Sequence, residues 1–436
     1  MRSAPARLDV LGALGADAGS TVAQMALPAR VAVAVQFNES GMLALSGESF
    51  HPAYVQREFC LPLNSAMLAD APAWAVPILA LWHALTAAAA NQVRGGGGAT
   101  LRFLTAIPGN ACQASSTALL SAMAVAVSEL LQRPLDLPEL ALLIERAESH
   151  ATGAASPHNG RVLDALTCLL AEAGTMLRYS AQPHRLVGSV PIPRDLRILA
   201  LDTGVPSTTS AETLDDLRIA GTMGLRIIDT IYKDLGQLHT PLHGYLANTS
   251  PLLYRQYFRT LLPKRLRGQD FLRTYGPFVE GVLDPVKLYR VRAAVDHQIA
   301  EHEHAEQFLQ AMEELEDMPG WGDSQEEVER QRTLQRAGRL ALASHHSYRL
   351  RLELSCREAD WLVDRLMEYG PDRGIYGARI TGRGGGGTVM ALVDRGQTAT
   401  DAILDVIKFY QVAMGVPLGV SEAGASGSME MDRMRN

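Results

Sequence analysis

Residues 380–388 read Ile-Thr-Gly-Arg-Gly-Gly-Gly-Gly-Thr, set between Tyr376-Gly-Ala-Arg379 and the apolar run Val389-Met-Ala-Leu-Val393. The layout predicts strand, tight turn, strand. Glycine is required where the backbone takes positive φ or comes very close to another group. A turn this dense in glycine is either a loop that holds a ligand or an unusually sharp hairpin. Which of the two it is bears directly on whether the chain is an enzyme.

At 436 residues, with 47% hydrophobic and 20% charged residues, the chain is globular and has room for two or three domains. A net charge of −7 and a pI near 6.0 argue against nucleic-acid binding, which favours clustered positive charge. Cys60, Cys112, Cys168 and Cys356 lie far apart with no CxxC pair. That argues against a disulfide framework or a zinc knuckle and suits a reducing compartment. The first residues lack the apolar core of a signal peptide. A cytoplasmic protein without nucleic-acid or membrane partners is expected. One run, 73–90, is long enough to test as a membrane span. Its Pro77, His83 and high alanine content read better as a buried helix.

Along the chain, 30–37, 42–45 and 101–107 predict strands, and 73–90, 115–131, 138–151 and 160–172 predict helices. Strands follow at 176–179 and up to 201. A helix is expected at 212–236, and 240–360 reads as mainly helical. Within it, 313–332 is charged, holds Pro319-Gly320, and predicts an exposed connection. Strands return at 376–393, then a helix at 400–414 and a loose Gly/Ser-rich tail from Glu422. Strand and helix mix without regular βαβ alternation, which predicts an α+β fold with a boundary near 195–210.

Four constellations carry possible chemistry. Ile107-Pro-Gly-Asn-Ala-Cys-Gln-Ala-Ser-Ser-Thr-Ala118 reads strand end, turn, helix start. A helix N-terminus offers unpaired N–H groups and a positive dipole end, which suits phosphate. Ser115 and Ser116 are candidates to bind a metal or simply to cap the helix. Glu148-Ser-His-Ala-Thr-Gly153 precedes Gly160-Arg-Val-Leu-Asp-Ala165, where Asp164 is either a general base for a hydroxyl or an ordinary cap or ion-pair partner. Arg7, just before an expected strand, either pairs with Asp164 or phosphate or lies on the surface. His297, His302 and His304 with Glu301 and Glu303 have a metal-like spacing but the charge density of a solvated helix. His345-His346 is similarly open.

Taken in order, these segments resemble the GHMP kinases, and among them the sugar-kinase branch of arabinokinases and galactokinases. Ala4-Pro-Ala-Arg-Leu-Asp-Val-Leu-Gly12, Gly19-Ser20 and Gln24-Met25 are similar to the first family motif, APGRLDVMGG…GS…QM. Residues 107–118 stand where the family has its phosphate loop, PxGxGxSSSAA. Glu148-Ser-His and Val162-Leu-Asp164 resemble the E-x-H and G-[IV]-M-D-Q segment, and Asp202-Thr-Gly204 resembles D-[ST]-G. His345-His-Ser-Tyr348 and Ser355-Cys356…Asp360 look like SH-S and SC…D. Residues 376–388 match the third motif, YGAKITGGGSGGT, almost throughout.

The resemblance implies a two-domain α+β fold. A mixed α/β domain over 1–198 would carry the phosphate loop and the catalytic Asp. A helix-rich domain with an antiparallel sheet would span 199–425 and carry the third motif, and 426–436 would be a flexible tail. It also implies transfer of the ATP γ-phosphoryl group, with Mg²⁺, to a sugar or sugar derivative at its anomeric hydroxyl, by a monomer or homodimer. By position, Asp164 would be the general base and Arg7 the cation that favours its ionised form. Pro108, Gly109, Asn110, Ser115 and Ser116 would meet the nucleotide, and Gly382, Gly384, Gly385 and Gly386 would face phosphates and substrate. Ser116 and Glu148 would hold Mg²⁺, and Asp17 and Arg161 would meet the substrate.

The chain also departs from the family pattern. Asn110 and Cys112 replace the two phosphate-loop glycines and Ala114 the first serine, which predicts an altered loop path or weaker ATP binding. The sugar-binding E-H-x-D is Ala13-Leu14-Gly15-Ala16, with Asp17 one position late. About four extra residues precede the Asp164 motif, around Ser156–Asn159, and Ala165 replaces the usual Gln. Arg161 is an added cation able to meet an anionic substrate. The family's sugar-side tyrosine has no match near Leu214–Leu217. Two other readings stay open: a non-catalytic sugar- or nucleotide-binding protein on the same fold, and a kinase that uses another phosphoryl donor.

Overall fold

The computed structural model describes residues 1–49, 57–62, 71–87, 98–109, 111–132, 136–152, 159–182, 184–237, 240–278, 283–318 and 324–428. Seven strands make the first sheet: β1 (Arg2–Leu11), β2 (Thr21–Asn38), β3 (Met42–Ser49), β4 (Arg57–Pro62), β5 (Gly98–Thr105), β6 (Thr175–Ala181) and β7 (His184–Pro191). Their order is β4-β3-β5-β2-β6-β7, with β1 also paired to β2. Among the described residues, only the β3–β5 pairing of this sheet is parallel.

Helices α1 (Val76–Ala87), α2 (Ser115–Leu130), α3 (Leu137–Thr152) and α4 (Asn159–Leu170) accompany this sheet. The small and apolar residues of α2 bury nearly all of its faces, so it sits centrally, against β1, β2 and the other three helices. Within the alanine-rich run at 73–90 lies α1, which buries Ile78, Leu79, Leu81, Trp82 and Leu85. Among the described residues, no helix is long and apolar enough to cross a membrane.

The second sheet opens with β8 (Leu196–Asp202), so the expected division at 198/199 falls within that strand. A small ribbon pairs β9 (Leu266–Arg267) with β10 (Leu288–Tyr289). β11 (Ile375–Ile380), β12 (Thr388–Asp394) and β13 (Gly419–Glu422) complete an antiparallel sheet of order β11-β12-β8-β13. The helices that follow β8 in the chain are α5 (Ala211–Asp234), α6 (Pro251–Leu253), α7 (Gly268–Tyr275), α8 (Val291–Asp317), α9 (Ser324–His346), α10 (Arg357–Tyr369) and α11 (Gln397–Met414), of which α9, α10 and α11 lie against this sheet. Ser210 starts α5 by accepting from the Thr213 N–H, an ordinary side-chain cap. α8 and α9 pack together and α9 lies on β11. One apolar core runs from Trp82 and Leu101 through Phe308 and Met312 of α8 to Met390 and Leu392 of β12. α8 therefore joins the two sheets into one packed body.

Several expectations need correcting. Residues 313–317 and 324–332 are helical ends of α8 and α9, so most of the stretch is helix and not loop, although Glu313, Glu316, Asp317 and 325–329 are exposed as expected. Arg330 is buried there, bonded to Leu315 O at 2.8 Å and ion-paired with Asp195 at 2.5 Å. Pro319 and Gly320 lie outside the described residues. The tail from Glu422 is docked over its described part: Arg30 Nη1 donates to Ser426 O at 2.7 Å and Gly427 N to Ala171 O at 2.6 Å. Arg7 lies inside β1 and not ahead of it. The edge strand β7 is mostly solvent-facing, so it has little of the apolar alternation that marks a strand.

Candidate active site

β1 is irregular against β2 at two points, between Pro5 and Arg7 and between Asp9 and Leu11. Such bulges re-aim side chains, and the segment between them carries Arg7 and Asp9. Asp164, in the first half of α4, meets this segment. Arg7 Nη2 donates to Asp164 Oδ2. Gln24 of β2 donates to the other oxygen, Oδ1, at 2.7 Å, and Thr167 donates to Gln24 Oε1 at 2.6 Å. Both oxygens of the carboxylate are thus held, which fixes its plane. Burial works against the Arg7 charge, but Asp164 outweighs it and leaves the guanidinium above its ordinary value. Arg7 Nε and Nη1 are buried with no hydrogen-bond partner among the described residues.

The loop ahead of α2 is clamped from two sides. Arg7 N donates to Gln113 O at 3.0 Å, and Thr388 Oγ1 donates to Ala111 O at 2.6 Å. Cys112 and Ala114 sit at φ 56° and 57°. This is the left-handed region glycine enters freely and other residues enter at a cost of about 1–2 kcal/mol. Cys112 thus takes a glycine-like conformation in spite of its side chain. Ala114 is the residue ahead of α2 and gives no side-chain cap, so the first N–H groups of the helix are left for another acceptor.

Opposite the loop stands the glycine turn between β11 and β12. Gly382, Gly384, Gly385, Gly386 and Gly387 all have positive φ, between 59° and 139°. Gly382 is held at both ends: its N–H donates to Asp9 Oδ2 at 3.1 Å, and its carbonyl accepts from the Tyr348 hydroxyl at 2.8 Å. A Cβ on Gly387 would stand 2.8 Å from Cys112 Cβ. The turn is therefore a hairpin and also a wall of the site.

Two cavities meet here. One, of about 140 Å³, is lined by Asp17, Arg218 and Gln298 among others. The second, of about 390 Å³, is lined by Gly109, Cys112, Ser115, Ser116 and Glu148. Arg7, Arg161, Asp164, Gly382 and Arg383 border both, so the Arg7–Asp164 pair lies at their junction. In the second cavity Ser116 Oγ and Thr117 Oγ1 donate to Glu148 Oε1 at 2.6 and 2.9 Å. Burial pushes the Glu148 carboxyl above its ordinary range, against the pull of these hydroxyls and Arg161.

The GHMP kinases N terminal domain model matches residues 80–172, and the GHMP kinases C terminal model matches 324–412. The chain thus carries the N- and C-terminal GHMP kinase domains. It is 25% identical to the L-arabinokinase of Arabidopsis thaliana over 99% of its own length, and spans 46% of the length of that relative. A segment covering 16% of the chain is 38% identical to the galactokinase of Pyrococcus furiosus, where it covers 20% of the length. The galactose complex of Lactococcus lactis galactokinase superposes with a TM-score of 0.73 at 18% identity, over 98% of this chain and 94% of that one. L. major mevalonate kinase superposes less closely, with a TM-score of 0.57 at 16% identity. These likenesses carry the GHMP kinase fold.

Against the family pattern, the structure brings together Arg7, Asp164, Ser115, Ser116, Glu148, Gly109, Gly382, Asp17 and Arg161 around the two cavities. Asn110, and Ser156 with the residues to 158, lie outside the described residues. Pro108 is not part of either lining. Gly384, Gly385 and Gly386 are not either: their backbone packs on Leu354, Thr209 and Pro206, so their glycine requirement comes from close approach to protein. Ser115 and Ser116 do not cap α2. The histidines form no common site. His297 Nδ1 lies 2.9 Å from Ser347 Oγ, and His302 Nδ1 accepts from Thr21 N at 3.0 Å. Sequence reasoning missed Gln24 as the partner of Asp164, although it stands in the first motif. It also missed Arg383, which replaces a glycine of the third motif, and Arg218.

The fit of a divalent cation and a nucleotide follows from the donors present. Ser116, Thr117 and Glu148 offer hard oxygen ligands. Among the described residues no cluster of three or more His, Cys, Asp or Glu could hold a metal. Magnesium is commonly held by one or two carboxylates together with substrate phosphates, and the site matches that pattern. The uncapped start of α2 and the orphaned N–H groups of Arg7 suit phosphate oxygens.

Proposed function

We propose that this protein is an ATP-dependent sugar kinase that transfers the γ-phosphoryl group to a hydroxyl, the anomeric one, of a sugar or sugar derivative. The observation that carries the reading is the Arg7–Asp164 pair at the junction of the two cavities. The α2 cavity takes the phosphates and the Asp17 cavity takes the acceptor. Asp164, with its plane held by Arg7 and Gln24, accepts the proton of the attacking hydroxyl. Arg7 turns its unpaired N–H groups to the oxygen on which charge develops. Ser116 and Glu148 would hold Mg²⁺, which when bound bridges phosphate oxygens and offsets their charge. The names of the relatives, L-arabinokinase and galactokinase, support a sugar as acceptor. The two-domain division, with Asp164 on one side and the glycine turn on the other, belongs to the same proposal, as does a cytoplasmic location, in keeping with four free cysteines.

A second reading, a binding protein without turnover, has in its favour the side chains of Cys112 and Ala114 at strained loop positions. One experiment separates the two. ADP release with Mg-ATP is measured against neutral aldoses, uronic acids and amino sugars, with Asp164→Asn as control. Turnover that drops by roughly 10²–10⁴-fold in the variant supports the kinase. If no acceptor exceeds the variant's background while ATP or a sugar still binds, the kinase reading fails. If the variant keeps full turnover, the role of Asp164 is wrong.

A further inference from the structure

The acceptor cavity is basic where the sugar-kinase motif is acidic. The motif's E-H-x-D is Ala13-Leu14-Gly15-Ala16 in this chain, and Ala13 and Leu14 are apolar walls of the cavity. Arginines enter from three separate elements: Arg161 from α4, Arg218 from α5 and Arg383 from the glycine turn. The acids on the same walls are Asp17 and Asp164, and Asp164 is already paired with Arg7. Arg383 replaces a glycine of the family motif, so the cavity has lost motif acids and acquired a cation.

Arg218 is mostly buried, and its Nε–H has no acceptor among the described residues. Its ion-pair partner Asp215 stands 3.8 Å away, beyond hydrogen-bond reach. A buried donor left without a partner carries a desolvation penalty that a bound acceptor removes. The arginine fork matches the paired oxygens of a carboxylate or phosphate, which a sugar hydroxyl does not reproduce. Arg161 and Arg383 border both cavities and would by themselves serve the nucleotide phosphates equally well. Of the two cavities Arg218 lines only the acceptor side, and this assigns the positive charge to the acceptor.

We propose, resting on the sugar-kinase reading, that the acceptor is an anionic sugar whose carboxylate or phosphate substituent is held by Arg218 and Arg383. The neutral face of the sugar lies against Ala13, Leu14 and Leu217.

The test uses matched sets: galactose, glucose and mannose, the uronate of each, and the 6-phosphate of each. Phosphoryl transfer from Mg-ATP is measured for all nine with the intact chain, Arg218→Gln, Arg218→Lys and Arg383→Gly. The expected result is kcat/KM for one uronate roughly 10- to 100-fold above its neutral parent. Arg218→Gln abolishes that preference and leaves the KM for ATP unchanged, and Arg218→Lys keeps part of it. A preference for a 6-phosphate supports the same inference with phosphate as the anion. Neutral sugars used as well as or better than both anionic sets overturn it and leave the kinase reading intact. If nothing turns over, calorimetric titration of the same nine compounds decides. An anionic sugar bound more tightly than its parent, and lost in Arg218→Gln, upholds the anionic site while the kinase reading fails. Equal or absent binding overturns it. A change in ATP KM in Arg218→Gln, with acceptor preference untouched, assigns the arginine to the nucleotide and also overturns the inference.

Discussion

The Gly382 N–H donates to Asp9 Oδ2 at 3.1 Å, which ties the start of the glycine turn to the strand that carries Arg7 two residues earlier. Asp9 is buried, as are Arg379, 3.3 Å from the same oxygen, and Glu301, 3.4 Å from Arg379. Burial pushes the Asp9 carboxyl up, opposed by Arg379 and Arg7. The Asp9–Arg379–Glu301 network thereby ties the start of the glycine turn to β1, which carries the Arg7 partner of Asp164.

Asp9→Asn removes one of the two carboxylates that offset a fully buried guanidinium. Breaking such a pair costs about 3 kcal/mol, and displacement of the turn lowers turnover by roughly tenfold to a hundredfold. Denaturant unfolding and steady-state rates measure the two effects. Lowered stability with unchanged turnover would show that the tie matters to folding alone.

Cys112 and Gly387 are predicted to be energetically coupled. Gly387→Ala places a Cβ 2.8 Å from Cys112 Cβ at a φ of 78°, and should destabilise by about 2 kcal/mol. Cys112→Gly relieves a left-handed non-glycine residue at the expense of added freedom in the unfolded chain, so its own effect stays within about 1 kcal/mol. In the double variant the cost of Gly387→Ala falls by about 1 kcal/mol, because the obstructing side chain is gone. Additive effects in the double-mutant cycle would refute the contact.

Burial holds the proton on Glu148 to a higher pH than the ordinary glutamate value of about 4.3. Metal binds the deprotonated form and must displace that proton. Apparent Mg²⁺ affinity should therefore rise with pH through the raised Glu148 pKa and level off above it. Mg²⁺ titrations at several pH values, with Glu148→Gln beside the intact protein, check this. A Mg²⁺ dependence with the same pH slope in the variant assigns the effect to another group.

His297 is fully buried, and burial first, opposed by Glu301 and aided by Arg379, His304 and Arg351, pushes its pKa down from 6.5 to about 4. The unfolded chain binds this proton more tightly than the folded one. Stability is then complete above 6.5 and is lost as pH falls from 6.5 towards 4. The loss approaches about 3 kcal/mol at about 1.36 kcal/mol per pH unit. Urea unfolding across that window should show the decline, flattened in His297→Asn. An equal decline in both proteins would place the titration elsewhere.

Much of the site could be read from residue order. The turn at 382–387, the helix start at 115, Glu148 and Asp164 follow a family order that survives even where single residues, or the spacing ahead of Asp164, do not. Positions whose meaning depends on a distant partner were not legible. Gln24 matters because Asp164, 140 residues later, presents an oxygen to it. Arg330 looked like part of a solvated charge run until α8, α9 and Asp195 enclosed it. Gly384, Gly385 and Gly386 looked like ligand contacts, but the loops at Leu354 and Thr209 take up their open side.

Chain order and local pattern thus defined the family, the strand–turn–strand around the glycines and the candidates for base, metal and phosphate. These follow from backbone freedom and apolar spacing, which neighbouring residues decide among themselves. The fold alone decided that Cys112 takes a glycine-like conformation, because the clamps from β1 and Thr388 outweigh a cost of about 1–2 kcal/mol. It also decided that Arg161, Arg218 and Arg383 share one cavity. Charge in a cavity is a sum over elements brought together from across the chain, and linear spacing carries no record of that sum.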